Sequence, residues 1–171
     1  TVTLGADPEF VLRRPDGKGV PASRYLERYG EAGSDTVPSV RREIAPLAEL
    51  RPAPTPDPDE LVRRLRETML LAARRIGDEN LAWQAGGMPV KGLPLGGHIH
   101  FSGVRLDSRL LRALDNYLAL PCSLVEGPDS RRRRPRYGAL GDFRPKAHGG
   151  FEYRVLSSWL ASPERAAAVL W

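Results

Sequence analysis

Four short segments of this chain carry two ionisable side chains separated by a single residue: Asp7-Pro-Glu9, Glu49-Leu-Arg51, His98-Ile-His100 and Glu152-Tyr-Arg154. Each lies in or beside a run that reads as β-strand. Side chains alternate between faces along a strand, so both members of a dyad share one face, about 7 Å apart. The residue between them (Leu50, Ile99, Tyr153) points the other way and can enter a core. Taken singly, such a dyad is an ordinary solvated strand face. Four in one small domain, three of them beside glycines, carry more weight, and in a sheet packed on one side by helices they would line the uncovered face. Carboxylates, imidazoles and guanidinium groups meeting there would form a metal and phosphate site.

The chain is long enough for one core. Its 171 residues, 41% of them hydrophobic, predict a single domain spanning 1–171. No run of about 18 apolar residues is present, so no membrane-spanning helix is expected. No basic stretch followed by an apolar one opens the sequence, which argues against secretion. The single cysteine, Cys122, excludes an internal disulfide framework and a multi-cysteine metal site, and a cytoplasmic protein is expected. The formal charge of +5 comes mostly from arginine, with Lys18, Lys91 and Lys146 the sole lysines. Arginine presents a planar fork to phosphate and carboxylate, where lysine acts as a point charge. Solvated arginine faces and a polyanionic ligand both satisfy that composition.

Local patterns supply the remaining elements. Residues 1–12 read as a strand followed by a turn at Arg14-Pro15-Asp16-Gly17, and Pro8, which cannot donate to a ladder, predicts an edge position or a strand beginning there. Residues 18–40 read as a loop with a short helix around 23–29, and 44–51 as a second strand stopped by prolines. Asp57 caps a helix beginning at Pro58, with Leu61, Leu65, Met69, Ala72 and Ile76 on its apolar face and Gly77 at its end. Strands are expected at 81–84, 98–102 and 151–156. A helix from Asp107 or Ser108 is expected to break at Pro121, and Ser162-Pro163-Glu164 opens a last helix with little apolar surface of its own, leaving room for further chain. Between 130 and 150 lies a loop of arginines and glycines.

Carboxylate oxygens with one imidazole suit Mg²⁺ or Mn²⁺ better than structural zinc, which prefers cysteine. His98, His100 and Glu49 alone would suit a catalytic zinc. The arginines at 131–134, 144 and 154 then need another explanation, whereas a metal bound to phosphates accounts for both groups. Arg131 to Arg134, followed by Tyr137, Gly138, Gly141, Arg144 and Lys146, also fits either a nucleic-acid-facing stretch or arginines folded over a triphosphate.

Five motifs occur in order: Gly-Ala-Asp-Pro-Glu-Phe (5–10), Glu-Leu-Arg-Pro (49–52), Gly-Gly-His-Ile-His-Phe-Ser (96–102), Arg-Arg-x-x-Tyr-Gly-x-x-Gly-x-x-Arg (133–144) and Gly-Phe-Glu-Tyr-Arg (150–154). Together they resemble the type 2 COOH–NH2 ligase family, amidoligases of the glutamine synthetase and glutamate–cysteine ligase superfamily. The resemblance implies an α+β fold, a curved and mainly antiparallel sheet with helices on its convex face, like a glutamine synthetase catalytic domain. It implies an ATP- and Mg²⁺-dependent enzyme that joins a small-molecule or peptide carboxylate to an amine through an acyl phosphate.

The same resemblance distributes roles. Asp7, Glu9, Glu49, His98 and Glu152 match metal ligands. His100 and Ser102 match positions near the nucleotide, with Tyr137 in the same set, and Arg133, Arg134 and Arg144 match residues that grip ATP phosphates. Arg51, Arg144 and Arg154 match the catalytic cations, Arg154 holding the acyl phosphate or substrate carboxylate. The chain departs in having Asp7 where glutamine synthetase commonly has glutamate, Pro8 inside the acidic pair, and no large extra domain; oligomeric contacts stay open. Three rivals use the same residues differently: a nucleic-acid-binding domain built on the arginine run, a metal hydrolase built on His98, His100 and Glu49, and a guanidino-kinase-like phosphotransferase.

Overall fold

A computed structural model describes residues 1–37, 44–147 and 149–171. Its framework is one open antiparallel sheet of 8 strands with helices packed on one face, an α+β fold. The long first strand, β1 (Thr3–Arg13), organises the rest. It is followed by β2 (Gly19–Val20), β3 (Ala32–Asp35), β4 (Leu47–Leu50), β5 (Ala82–Gln84), β6 (Gly97–Ser102), β7 (Phe143–Pro145) and β8 (Phe151–Tyr153). The main order across the sheet is β3-β4-β1-β6-β8-β7, with β2 and β5 pairing to the far end of β1.

β1 is therefore central, contrary to the edge position expected from Pro8. The ladder to β6 runs from Thr3 to Pro8, and the ladder to β4 from Glu9 to Val11. Pro8 falls where one pairing ends and the other has yet to begin, so the missing N–H interrupts no β4 ladder.

The pleat divides the sheet into two chemical faces. Leu4, Ala6, Phe10 and Leu12 of β1, Ala48 and Leu50 of β4, Ile99 and Phe101 of β6, and Phe151 and Tyr153 of β8 all join the main core. Helix α1 (Pro58–Ile76) covers this face with Leu61, Leu65, Ala72 and Ile76. Its ends follow the sequence: Asp57 accepts from the Asp59 N–H, and Gly77 takes the left-handed conformation that stops the helix. The last helix, α5 (Pro163–Leu170), is capped by Ser162 and buries Ala166, Val169 and Leu170, a fuller share of the core than expected.

Several local expectations are corrected. The proposed helix around 23–29 is a single 3₁₀ turn, Ala22–Arg24. The stretch 18–40 contains β2 and β3, and its last residues, 38–40, lie outside the described set. The strand expected over 44–51 is confined to β4, and that over 151–156 to β8. The arginine-rich stretch 130–150 holds a short helix, α4 (Ser130–Arg133), and β7; His148 lies outside the described set. Pro121 does not end the helix before it. Between α2 (Ser108–Leu114) and α3 (Leu120–Val125), residues 115–119 form a π-turn in which the Leu120 N–H reaches back to the Asp115 carbonyl. That wider turn reroutes the hydrogen bonds just before the proline, so the helix continues.

Gly97 shows how closely the polar face and the core are tied. A Cβ there would drive into the Trp159 indole and lie 2.6 Å from the Ser157 carbonyl oxygen. The Trp159 indole N–H itself donates to the Gly97 carbonyl at 2.9 Å. Replacing Gly97 by Ala should cost about 1–3 kcal/mol, an overpacking penalty. Chemical denaturation checks this, and an unchanged midpoint would mean that the close approach is absent in solution.

Candidate active site

Strand register brings the dyads together on the bare face. Asp7 pairs opposite His98, Gly5 opposite His100, Glu9 opposite Glu49, His100 opposite Glu152, and Glu152 opposite Arg144. A chain of cross-strand neighbours thus runs from β4 to β7 without entering the core.

Glu152 is the centre of one half. Its residue is fully buried, yet three cations point at it. Arg144 donates to Oε2 from Nε at 3.0 Å and from Nη2 at 2.7 Å, Lys146 Nζ lies 2.5 Å from Oε2, and Arg154 Nε lies 3.3 Å from Oε1. Burial pushes the Glu152 pKa up, but Lys146, His98 and Arg144 outweigh it and hold the carboxyl below its ordinary range. Glu152 carries less negative charge than its neighbours carry positive, so the surplus faces outward.

The imidazoles connect this half to Asp7. His98 Nδ1 lies 3.0 Å from Asp7 Oδ1 and 3.3 Å from Glu152 Oε1, and its Nε2 meets the Tyr137 hydroxyl. His100 Nε2 lies 2.8 Å from Asp7 Oδ2. Burial raises the Asp7 pKa, and the two histidines reverse that effect, keeping Asp7 ionised well below the usual carboxylate range. Tyr137 is held by a 2.8 Å bond from Arg154 Nη2, and the guanidinium groups of Arg133 and Arg154 lie over its ring, 4.6 and 4.8 Å from the ring centre.

The other half is acidic. Glu9, Asp35 and Glu49 place carboxylate oxygens within 4.8 Å of one another. Burial, then the Glu49 charge, raises the Glu9 pKa well above normal, although the Gly96 N–H donates to Glu9 Oε2 at 2.5 Å. Burial and Asp7 push Glu49 up to about 8, against the pull of its ion pair with Arg51. Gly33 lies opposite Glu49 in the register, and a Cβ on it would collide with the Arg51 guanidinium. A hard divalent cation fits this set: clustered oxygens, too little counter-charge, and little solvent. Asp7, His100 and Glu152 form a second group with ligand atoms within 4.8 Å of one another.

Two clefts open on this surface. The larger, about 560 Å³, includes Arg51, His100, Ser102 and Lys146 in its lining. The other, about 370 Å³, includes Glu9, His98, Arg136, Tyr137 and Arg154. Asp7, Asp35, Glu49 and Arg144 line both and form a shared wall.

The structure separates the expected site residues. Asp7, Glu9, Glu49, Arg51, His98, His100, Ser102, Tyr137, Arg144, Glu152 and Arg154 gather on this face or its clefts. Arg133 does not. Expected to grip phosphate, it is fully buried and donates to the Val155 and Leu156 carbonyls at 2.9 and 2.8 Å, in space that Gly138 leaves open. Arg134 is also turned away, donating to Glu126 at 2.8 Å. His98 has both ring nitrogens engaged, and it is His100 that groups with Asp7 and Glu152. The hydrolase set of His98, His100 and Glu49 is not assembled, because Glu49 belongs with Glu9 and Asp35. Sequence reasoning missed Asp35, hidden in a stretch without strand alternation, and Arg136, which occupies a variable position of its motif.

Fold and site together define an α+β protein whose open antiparallel sheet carries a charged, two-cleft face. The family model described as phage phiEco32-like COOH.NH2 ligase-type 2 matches residues 4–171, and the chain belongs to that family, by its name one of carboxylate–amine ligases. No curated protein matches the sequence.

The raised carboxyls fix the sign of a pH effect. Glu9 and Glu49 hold protons in the folded state that they release above about 4.5 when unfolded, so stability falls as pH rises. In chelator, thermal unfolding should show Tm dropping from about pH 5 to about pH 8, with a slope of at most about 1.4 kcal/mol per pH unit for each carboxyl. Glu49→Gln should flatten the slope, and added Mg²⁺ or Mn²⁺ should raise Tm most at the alkaline end. A flat profile indifferent to these cations would count against the acidic cluster as a metal site.

Proposed function

We propose that this protein is an ATP-dependent carboxylate–amine ligase that activates an acid as its acyl phosphate. The observation that carries this reading is one juxtaposition: a buried acidic cluster (Glu9, Asp35, Glu49) shares a wall with a buried carboxylate surrounded by Arg144, Lys146 and Arg154. Oxygen donors beside outward-facing cations suit a metal-bound triphosphate better than either ligand alone.

Glu9, Asp35 and Glu49 would hold one Mg²⁺ or Mn²⁺, and Asp7, His100 and Glu152 another. Such ions, when bound, neutralise triphosphate charge and polarise phosphoryl oxygens. The larger cleft takes the nucleotide and the smaller one the acid. The carboxylate oxygen takes the γ-phosphoryl group while ADP leaves, and the amine nitrogen then displaces inorganic phosphate from the acyl carbon. Arg144 and Lys146 face the transferred charge, with Glu152 fixing them in advance so that little reorganisation accompanies the reaction. Arg154, braced by Tyr137, faces the acid side, and Arg51 offsets Glu49 at the entrance to the nucleotide cleft. Nucleic-acid binding through the arginine run is less well supported, since Arg133 and Arg134 are spent internally.

ATP hydrolysis stimulated by an acid and an amine together tests the proposal. Glu152→Ala should lower that rate by at least about 100-fold, the scale of losing a preorganised electrostatic group. Full activity in that variant, or turnover that yields a phosphorylated amine and no amide, would overturn it.

A further inference from the structure

The smaller cleft contains an arginine that nothing above employs. Arg144 and Arg154, the other guanidinium groups lining it, are both bound to Glu152, and Arg154 also holds Tyr137. Arg136 is exposed, and among the described residues its side chain has no carboxylate partner and no hydrogen bond. It lines the smaller cleft and not the larger one. A cation left unpaired in a cleft whose wall carries four carboxylates (Asp7, Glu9, Asp35, Glu49) is placed to attract an anion away from that wall.

The rest of the lining limits what that anion can be attached to. Val37, Leu47 and Pro94 give the cleft an apolar side. Val37 and Leu47 belong to a second core cluster with Val11 and Leu95, so this side is fixed by packing. An apolar wall covers methylene groups and offers no partner to a polar spacer. A volume of about 370 Å³ admits a short chain.

Resting on the ligase reading, we propose that Arg136 is a specificity residue selecting an acid with a second anionic group. The reacting carboxylate lies at the shared wall, the distal carboxylate pairs with Arg136, and a short methylene spacer lies against Val37, Leu47 and Pro94. Arg136 touches the substrate but not the reacting atoms, so its loss affects binding of the acid and leaves the chemical step intact.

Hydroxylamine as a general amine, with ATP and Mg²⁺, converts accepted acids to hydroxamates that can be quantified directly. Glutarate should exceed butyrate in kcat/KM by roughly 10- to 100-fold, the value of a hydrogen-bonded charge pair. Arg136→Ala should remove the preference by raising KM for glutarate with kcat retained, Arg136→Lys should restore part of it, and Tm should not change. Equal use of both acids, or a preference that survives Arg136→Ala, overturns the inference while leaving the ligase reading in place. Calorimetric titration of glutarate into the Mg²⁺-loaded protein separates the remaining cases. Binding abolished by Arg136→Ala without any hydroxamate removes the ligase reading and keeps Arg136 as an anion site; absence of both removes both.

Discussion

Everything on the working face depends on keeping Glu152 ionised inside the protein. A carboxylate with no solvent exposure is costly unless other charges repay its lost hydration. Arg144, Lys146, Arg154 and His98 do so, and in return their positions are fixed by the one group they share. The pairing is asymmetric. One negative charge organises three permanent cations, so the assembly stays electropositive toward the clefts. Ion pairs with equal partners would satisfy themselves and present nothing to a ligand.

That arrangement follows from the pleat. Phe151 and Tyr153 enter the core on either side of Glu152, and Tyr153 anchors to Asp115 through a 2.7 Å hydrogen bond. The same Asp115 receives the Gly141 N–H at 3.0 Å, tying the glycine-bearing loop before β7 to the helical layer. Core packing on one face thus sets the position of β7 and β8, and with them the cations on the other. Ile99 between His98 and His100, and Leu50 between Glu49 and Arg51, repeat the device. Stability and site geometry are governed by the same strand register, and a one-residue slip would exchange the two faces.

Much of this was legible because period two is a strong signal. The dyads and the ordered motifs agreed on a sheet with helices on one face, and helix α1 was marked by its own caps. The strands that carry the four dyads lie where they were expected, whereas β3 and β7 fall in stretches read as loop. What escaped notice depended on tertiary context. Arg133 and Arg134 sit in the same basic run as Arg131 and Arg132, yet two become internal ties and two remain exposed. No local pattern distinguishes them; the difference is set by what the fold brings within reach, the carbonyls after β8 for Arg133 and the Glu126 carboxylate for Arg134. Pro8 and Pro121 misled for a related reason. A proline forbids one hydrogen bond, and whether that matters depends on whether the fold needed a bond there. At Pro8 the ladder changes partner, and at Pro121 a π-turn intervenes. Asp35 was hidden because β3, Ala-Gly-Ser-Asp, has no apolar alternation to mark it as strand, its pairing being imposed by β4.

The two clefts gain meaning from the wall between them. Asp7 and Arg144 belong to the electropositive half, and Asp35 and Glu49 to the acidic half, and all four line both openings. A ligand in either cleft therefore meets the same boundary between opposite charges. Within the acidic half Arg51 and the Gly96 N–H relieve the repulsion only in part, since burial and neighbouring carboxylates drive Glu9 and Glu49 toward their protonated forms. Within the other half Asp7 is driven the opposite way by its two histidines. Carboxylates so close in space are thus held in contrasting states by neighbours a few ångströms apart. A multivalent cation binding beside Glu49 would replace those protons, and its excess charge would favour an anion on the cation-lined side of the same wall. Charge added to one half raises the affinity of the other, which is the coupling that a metal and a polyanion need in order to bind as a unit.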